Sequence, residues 1–405
     1  MTKPPGPCRC CCWWSRSSPS AWSTVLPAGE GGSVSASLTV QLRARAPIPL
    51  QTSFQVAPGE VLALVGPSGS GKTTVLRAIA GLHRKAQGLV RCGNRTWLDS
   101  SRRVHLPPQQ RRVGMVFQDY ALFPHLTALD NLLLAMESGP MEGRREQAHQ
   151  LLARVRLDGL EQRLPRELSG GQQQRVAVAR ALARDPNVLL LDEPFSAVDM
   201  MTRERLQREL ALLRRQIEIP MILVTHDLQE ATALGDRICV LHEGTSLQTE
   251  TPERLFRHPS TPHVARLLGR HNVFTGTIVR RSEGERLAWG ELELELGRPT
   301  GMPHGARVHW YVPDSDILLH RRGRPSRGER ENPVTGTVTE CVVLGAQTSI
   351  TLHCHATAAD IRLSVSTHAA RRNGLEPGAE ARVSLLSSGI HVMTSLPEAN
   401  AAGND

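Results

Sequence analysis

An α/β phosphate-binding domain followed by a smaller, duplicated β-barrel is the fold class this sequence predicts, on three observations. The run Gly66-Pro67-Ser68-Gly69-Ser70-Gly71-Lys72-Thr73 lies between a strand-sized apolar stretch and a helical one. Apolar runs return at 188–191 and 221–225 with helical periods between them, which implies a parallel sheet covered on both faces. After Asn272 the texture changes to short strands broken by Gly, Pro and polar turns, and part of that texture occurs twice.

The elements follow in order. Residues 1–33 are rich in Ser, Pro, Gly and Cys without periodicity and are expected to be a disordered, dispensable tail, with Val34 a candidate true start. Ser37 to Gln41 alternates like a strand, Phe54 and Val56 mark a second, and Pro58-Gly59 turns into the buried strand 61–65. Val75, Leu76 and Ile79 have the spacing of one helix face over Thr73 to Ala80. Residues 119–183 are mostly helical by period, with breaks at Pro124 and Gly139-Pro140. Pro252 to Gly269 makes a helical connector.

In the last region, Gly276-Thr277-Ile278, Gly305-Ala306-Arg307-Val308 and Asp316-Ile317 are echoed by Gly336-Thr337-Val338, Gly378-Ala379-Glu380-Ala381-Arg382-Val383 and Gly389-Ile390. Two small barrel units, interleaved or in tandem, account for the echo; the alternative is chance similarity between turn-rich strands. The expected domains are therefore a tail at 1–33, a nucleotide domain at 34–245 with a helical part at 119–183, a connector at 246–272, a barrel at 273–393 and a tail at 394–405.

Composition bounds the function. A chain of 405 residues exceeds one core, and no apolar run approaches the ~20 residues that span a bilayer. The net charge of +9 admits nucleic acid, anionic lipid or nucleotide without choosing among them, and pairs such as Arg102-Arg103, Arg111-Arg112 and Arg321-Arg322 look like solvated surface. Of the eight cysteines, Cys8, Cys10, Cys11 and Cys12 cluster without a second half or nearby histidine, which argues against a metal site, and the scatter of the rest fits a reducing compartment.

The chemistry resides in five short stretches. The glycines of the phosphate loop let successive backbone N–H groups turn inward, and the following helix adds its positive end. Lys72 supplies a cation, Thr73 a hydroxyl for Mg²⁺, and Thr74 continues the first turn. Asp192 and Glu193 end the apolar strand Val188-Leu189-Leu190-Leu191, at the sheet edge where ligands bind. Asp192 would hold Mg²⁺ through its water shell, and Glu193 would deprotonate the attacking water. Gln118, after Val116-Phe117, would sense metal and water, and His226 would touch the γ-phosphate; His226 alone would pass for a helix-cap histidine. In Leu168-Ser169-Gly170-Gly171-Gln172, Ser169 can cap a helix whose paired glycines leave room for phosphate oxygens. The chain's own loop already serves its own ATP, so this second helix end makes sense facing ATP held by a partner.

Together these stretches resemble the nucleotide-binding subunits of ATP-binding-cassette transporters over roughly Val34 to Met393. The resemblance implies a P-loop NTPase cassette, with RecA-like core and helical subdomain, and a TOBE/OB-like regulatory barrel. It further implies a head-to-tail homodimer with Asp199 of Ser196-Ala197-Val198-Asp199 at the interface. The subunit would be an ATPase using ATP and Mg²⁺, peripheral on the cytoplasmic face of the inner membrane, with separate permease subunits and, indirectly, a periplasmic solute-binding protein. Leu122-Phe123-Pro124-His125-Leu126-Thr127 and Asp130-Asn131-Leu132 look like the permease-gripping surface of importer ATPases, within 119–132.

Family members usually place an aromatic ring upstream of the phosphate loop to stack on adenine; here the stretch reads Gln41-Leu42-Arg43-Ala44-Arg45. Arg43 or Arg45 could stack on the base, or base selectivity is lacking; Phe54 is expected in the core. Trp97-Leu98-Asp99-Ser100, Leu106-Pro107-Pro108 and Arg112-Val113-Gly114-Met115-Val116-Phe117-Gln118, with the missing ring and the duplicated barrel, are most similar to the molybdate importer ATPases. Sulfate, ferric-iron and polyamine importer ATPases share the architecture. Gly345 to Ser349 is the one polar turn nominated for an oxyanion. A soluble cassette ATPase acting on nucleic acid or ribosomes is the distant alternative; it would need stacking rings, and residues 273–393 offer only Phe274, Trp289, Trp310 and Tyr311 without regular interleaving.

Overall fold

The computed structural model describes residues 36–45, 48–136, 139–196, 198–321 and 331–393. The expectations for both tails, the Cys8–Cys12 cluster, Val34 and Ala197 lie outside the described residues.

The chain enters as an antiparallel pair, β1 (Leu38–Ala44) and β2 (Leu50–Val56). In β2 the residues Leu50, Thr52, Phe54 and Val56 are buried and Gln51, Ser53 and Gln55 exposed, the period of two that a half-buried strand requires. β3 (Val61–Val65) is buried throughout and runs through the glycine loop into α1 (Lys72–Ala80). Three short strands follow, β4 (Gln87–Cys92), β5 (Arg95–Asp99) and β6 (Val104–His105), then β7 (Val113–Val116). The helical part comprises α2 (Ala128–Ala135), α3 (Met141–Arg154), which opens directly after Pro140, and α4 (Gly170–Leu182). β8 (Val188–Asp192), α5 (Met200–Arg214), β9 (Met221–Val224), α6 (Leu228–Leu234), β10 (Arg237–His242) and β11 (Thr245–Glu250) complete the domain.

The resulting sheet has the order β6-β5-β4-β1-β2-β11-β10-β3-β9-β8-β7. The run β10-β3-β9-β8-β7 is parallel, as is the single pairing of β11 with β2; the parallel strands expected at 188–191 and 221–225 are there, within a larger sheet that is mixed. The physical reason is loop length. Two-residue connections such as Gly93-Asn94 and Glu243-Gly244, the latter with both residues at positive φ, return the chain antiparallel. Apolar runs alone do not reveal that. In the parallel half, Leu64 and Asp192 both pair with Val224, and Val116 pairs with Leu191. The phosphate loop, Asp192-Glu193, His226 and Gln118 therefore leave the sheet at one edge.

Two short helices, α7 (Pro252–Arg257) and α8 (Pro262–Leu267), form the connector. Among the described residues no helix is long and apolar enough to cross a membrane. Then come β12 (Val273–Arg281), β13 (Gly284–Trp289), β14 (Leu292–Glu295), β15 (Arg307–Tyr311) and β16 (Ile317–Leu319). Their echoes are β17 (Glu331–Leu344), β18 (Gln347–Cys354), β19 (Asp360–Ser366), β20 (Glu380–Leu386), preceded by α9 (Thr367–Arg372), and β21 (His391–Met393). The sheets are β14-β13-β12-β15-β21 and β16-β20-β17-β18-β19, so the last strand of each unit completes the other's sheet. The repeat is interleaved. Its echoed glycines have one cause: a Cβ at Gly276 would meet the Ala288 carbonyl oxygen at 2.9 Å, and one at Gly336 the His353 oxygen at 2.3 Å. Both sheets share one core, in which Phe274, Trp289 and Trp310 stack with centroids 4.8 to 5.0 Å apart. Tyr311 is also buried, so these rings are spent on packing.

Connector and barrel meet at a histidine pair. His391 Nε2 lies 3.0 Å from the Pro259 carbonyl, which only accepts, so Nε2 carries the proton and Nδ1 is left to accept. Its partner is His258 Nδ1, 3.3 Å away, which donates. Burial pushes His391 down from 6.5 to about 4, with His258 adding to the effect. His258 is itself lowered, by burial first and then by Arg254, Arg257 and Arg298. A depressed histidine means that the unfolded chain takes the proton first as pH falls. The stabilisation is present above 6.5 and is lost between 6.5 and about 4. His391→Asn is therefore expected to flatten the fall of the thermal midpoint over that window; identical slopes in both proteins would exclude this role.

Candidate active site

Pro67, Ser68 and Gly69 are exposed at the crest of the loop, Thr73 and Thr74 half-buried, and Ser70, Gly71 and Lys72 buried. Gly66 is obligatory because a Cβ there would lie 2.0 Å from the Leu241 carbonyl oxygen. Gly71, at φ 95°, supplies the left-handed turn into α1, which opens without a side-chain cap. Lys72 Nζ donates to the carbonyls of Gly66 at 2.8 Å and Pro67 at 2.9 Å, folding back across the loop. Burial lowers its pKa, against the raising effect of Glu193 and Asp192. Ser70 Oγ is buried with no partner. An uncapped helix end, a buried cation and an orphaned hydroxyl form a donor set that fits phosphate oxygens.

Thr73 Oγ1 donates to Asp192 Oδ1 at 2.9 Å. Burial raises the Asp192 pKa, opposed first by the Thr73 hydrogen bond; Glu193 raises it further, and Arg77 and Lys72 lower it. A buried carboxylate beside a hydroxyl, with another carboxylate next to it, is a donor set that fits a hard divalent cation. Glu193 is the convergence point. Gln118 Nε2 donates to its Oε2 at 3.3 Å, and His226 Nδ1 lies 3.4 Å from the same oxygen. Glu193 is held at φ 44°, a conformation that costs about 1–3 kcal/mol in a non-glycine residue. Its N–H donates to Val224, and its carbonyl accepts from Ser196 N and Oγ. The backbone is thus locked while the carboxylate is aimed outward.

The third group stands apart. Ser169 accepts from Gln172 N at 3.3 Å while Gln172 Oε1 accepts from Ser169 N at 2.8 Å, a capping box that opens α4. Among the described residues no hydrogen bond joins this helix end to the Lys72 loop. Gly170 is half-buried at the start of the helix. Gly171 is buried, and a Cβ there would press on Leu206 and Thr202 of α5 at 3.2 Å. Its smallness therefore serves packing within the chain as well. Asp199 caps α5 by accepting from Thr202 N.

Several supporting residues were not legible beforehand. Arg111, grouped with surface charges, is fully buried; it donates to the carbonyls of Ala78, Ile79 and Leu106 and so ties the end of α1 to the strand leading to Gln118. Burial lowers its pKa to about 10. Arg180 of α4 donates to Ala121 at 2.7 Å and Tyr120 at 3.0 Å, two residues at positive φ, and lies over the Phe123 ring. Buried Asn131 bonds Phe123 N and O, Leu126 O and Thr127 O, which shapes the 119–132 surface and presents Phe123 to solvent. Arg43 and Arg45 are exposed and Phe54 is in the core. In the Gly345 turn, Thr367 Oγ1 donates to the Gly345 carbonyl, and buried Thr348 bonds Thr367.

A phosphate loop, a metal-competent aspartate and an aimed glutamate at one edge of a mixed sheet, joined to an interleaved double barrel, define a nucleotide-hydrolysing cassette with a C-terminal β-barrel module. Comparison with known families agrees: residues 50–196 match the ABC transporter family and residues 316–393 the TOBE domain. The chain is 39% identical over 303 residues to the spermidine/putrescine import ATP-binding protein PotA of Oleidesulfovibrio alaskensis, covering 73% of this chain and 78% of that protein. It is 42% identical over 286 residues to the sulfate/thiosulfate import ATP-binding protein CysA 1 of Rhizobium meliloti, covering 68% and 78%. With the Fe(3+) ions import ATP-binding protein FbpC 2 of the same organism it shares 39% identity over 349 residues, 82% and 84% of the two chains. The chain belongs to the ATP-binding proteins of ABC transporters, the ATPases that power import. Membership implies paired cassettes and a membrane permease.

Proposed function

We propose that two copies of this chain close head to tail around two ATP molecules and use their hydrolysis to drive a separate permease. The observation that carries the reading is the convergence of Gln118 and His226 on one Glu193 oxygen, beside the Thr73–Asp192 pair. In this reading residues 66–74 bind the phosphates, and Lys72 exchanges its loop carbonyls for phosphate oxygens. Thr73, Asp192 and Gln118 hold Mg²⁺, which supplies charge neutralisation on the phosphates. Glu193 takes the proton of the attacking water, Gln118 orients that water, and His226 steadies the γ-phosphate. Ser169, Gly170, Gly171 and Gln172 present the opening of α4 to the partner's nucleotide, with Asp199 beside the same interface. The surface at 119–132 receives a cytoplasmic segment of the permease, which places the subunit on the cytoplasmic face of the membrane.

The cargo we infer is an inorganic oxyanion, molybdate or tungstate, delivered by a periplasmic binding protein. The support is the resemblance carried by residues 97–100, 106–108 and 112–118; Trp97 itself is buried in the core and touches no solute. The relatives named above import polyamines, sulfate or ferric iron by their names, and sulfate is the second reading. Disrupting the gene is expected to lower molybdoenzyme activity at low molybdate, with rescue by excess. Failure to grow on sulfate as sole sulfur source, with molybdoenzymes intact, would replace molybdate by sulfate.

A further inference from the structure

His226 does not stand on a free loop. Its neighbours Thr225 and Asp227 are both fastened to Glu230, one turn into α6. Thr225 Oγ1 donates to Glu230 Oε2 at 2.6 Å and accepts from Asp227 N at 3.0 Å, while Asp227 Oδ1 accepts from Gln229 N and Glu230 N. Glu230 is 4% exposed, a carboxylate that needs a counter-charge to stay ionised. Burial raises its pKa, which the Thr225 bond and Arg203 oppose.

Arg203, on α5, spreads its guanidinium over three groups. Nε lies 3.8 Å from Glu230 Oε1, one terminal nitrogen 4.0 Å from Asp227 Oδ2, and the other donates at 3.5 Å to the Val198 carbonyl. Val198 adjoins Asp199, the cap of α5 that is read above as facing the partner. One side chain therefore touches both the segment carrying His226 and the segment that meets the second copy.

We propose that Arg203, through Glu230, is the positioning residue that couples γ-phosphate contact at His226 to the shape of the Val198-Asp199 loop, so that each ATP sets the loop the other site meets. The inference rests on the sandwich reading. A fixed fork with three receivers suits this task, because a shift of the Thr225–Asp227 segment must move the guanidinium or break a contact, and either change reaches the Val198 carbonyl. Coupling is reciprocal, so pairing at Asp199 would equally bias His226.

The bland alternative is that Arg203 only neutralises buried Glu230, and a double variant separates the two. Arg203→Met keeps the length and apolar contact of the side chain; we expect kcat to fall about 5- to 30-fold with KM for ATP within about 2-fold, and the thermal midpoint to drop. Adding Glu230→Gln removes the stranded charge, so the midpoint recovers while turnover stays low. Recovery of turnover with the midpoint, or a wild-type kcat in Arg203→Met, overturns the proposal. If Arg203→Met does not fold, Arg203→Lys retains the charge and loses the fork. The same kcat loss supports the coupling, and a wild-type rate overturns it. Ser169→Arg, assayed alongside, keeps the failures apart. Lost turnover there with normal turnover in Arg203→Met removes this inference alone, whereas normal turnover in Ser169→Arg removes the sandwich as well.

Discussion

Glu193→Gln is expected to bind ATP, pair with a second copy and stop. The amide keeps the size of the carboxylate; its oxygen, placed where Glu193 Oε2 lies, can still accept from Gln118 Nε2 at 3.3 Å, with His226 Nδ1 3.4 Å from the same position. What it loses is the ability to take the water's proton, a role worth ~10²–10⁴ in rate. Lys72, Thr73 and Asp192 are untouched, so binding energy accumulates in the closed form without discharge. Size-exclusion chromatography should show a dimer with ATP that is absent with ADP. Lys72→Ala should not form it, since the phosphate contact itself is removed. Hydrolysis at the wild-type rate in the Gln variant would transfer the base role to His226.

Ser169→Arg is expected to abolish turnover while sparing nucleotide binding by the single chain. Ser169 is exposed, and among the described residues its side chain bonds only within its own helix cap and not to Lys72 or Asp192. A bulky cation there would occupy the place of the partner's γ-phosphate, and hydrolysis should fall at least ~10²-fold, the scale for losing transition-state donors. The substitution also removes an N-cap, typically ~1 kcal/mol. Ser169→Ala carries that loss without the cation and serves as the control, with a smaller drop in rate. Unchanged affinity with lost turnover supports the sandwich; unchanged turnover removes it.

How much of this was legible depended on the range of the interaction. The phosphate loop, the helix after it, the cap at Ser169, and strand β8 ending in Asp192 were all visible in short windows. Their chemistry is local: backbone reversal at Gly71, a hydroxyl three residues before an amide, an apolar run with acids at its end. The echo of Gly276 in Gly336 was also visible, because close approach of a neighbouring strand forbids a side chain in both copies.

Partnership between distant segments was not visible. Arg111 and Arg112 are adjacent arginines in the sequence, yet one is fully buried against the end of α1 and the other exposed. That Gly171 also packs against Leu206 and Thr202 follows only from the position of α5. The hold of Asn131 on Phe123, of Arg180 on Tyr120, and of Arg203 on Val198 follow the same rule. The sequence by itself determined which residues can bind phosphate, metal and water, since those capacities belong to the side chains and their nearest neighbours. Tertiary structure alone decided which strands turned antiparallel, which unit β16 and β21 completed, and which buried charges found counterparts. Those outcomes depend on what packing brings within hydrogen-bond range, and a buried polar group must be paired where it ends up.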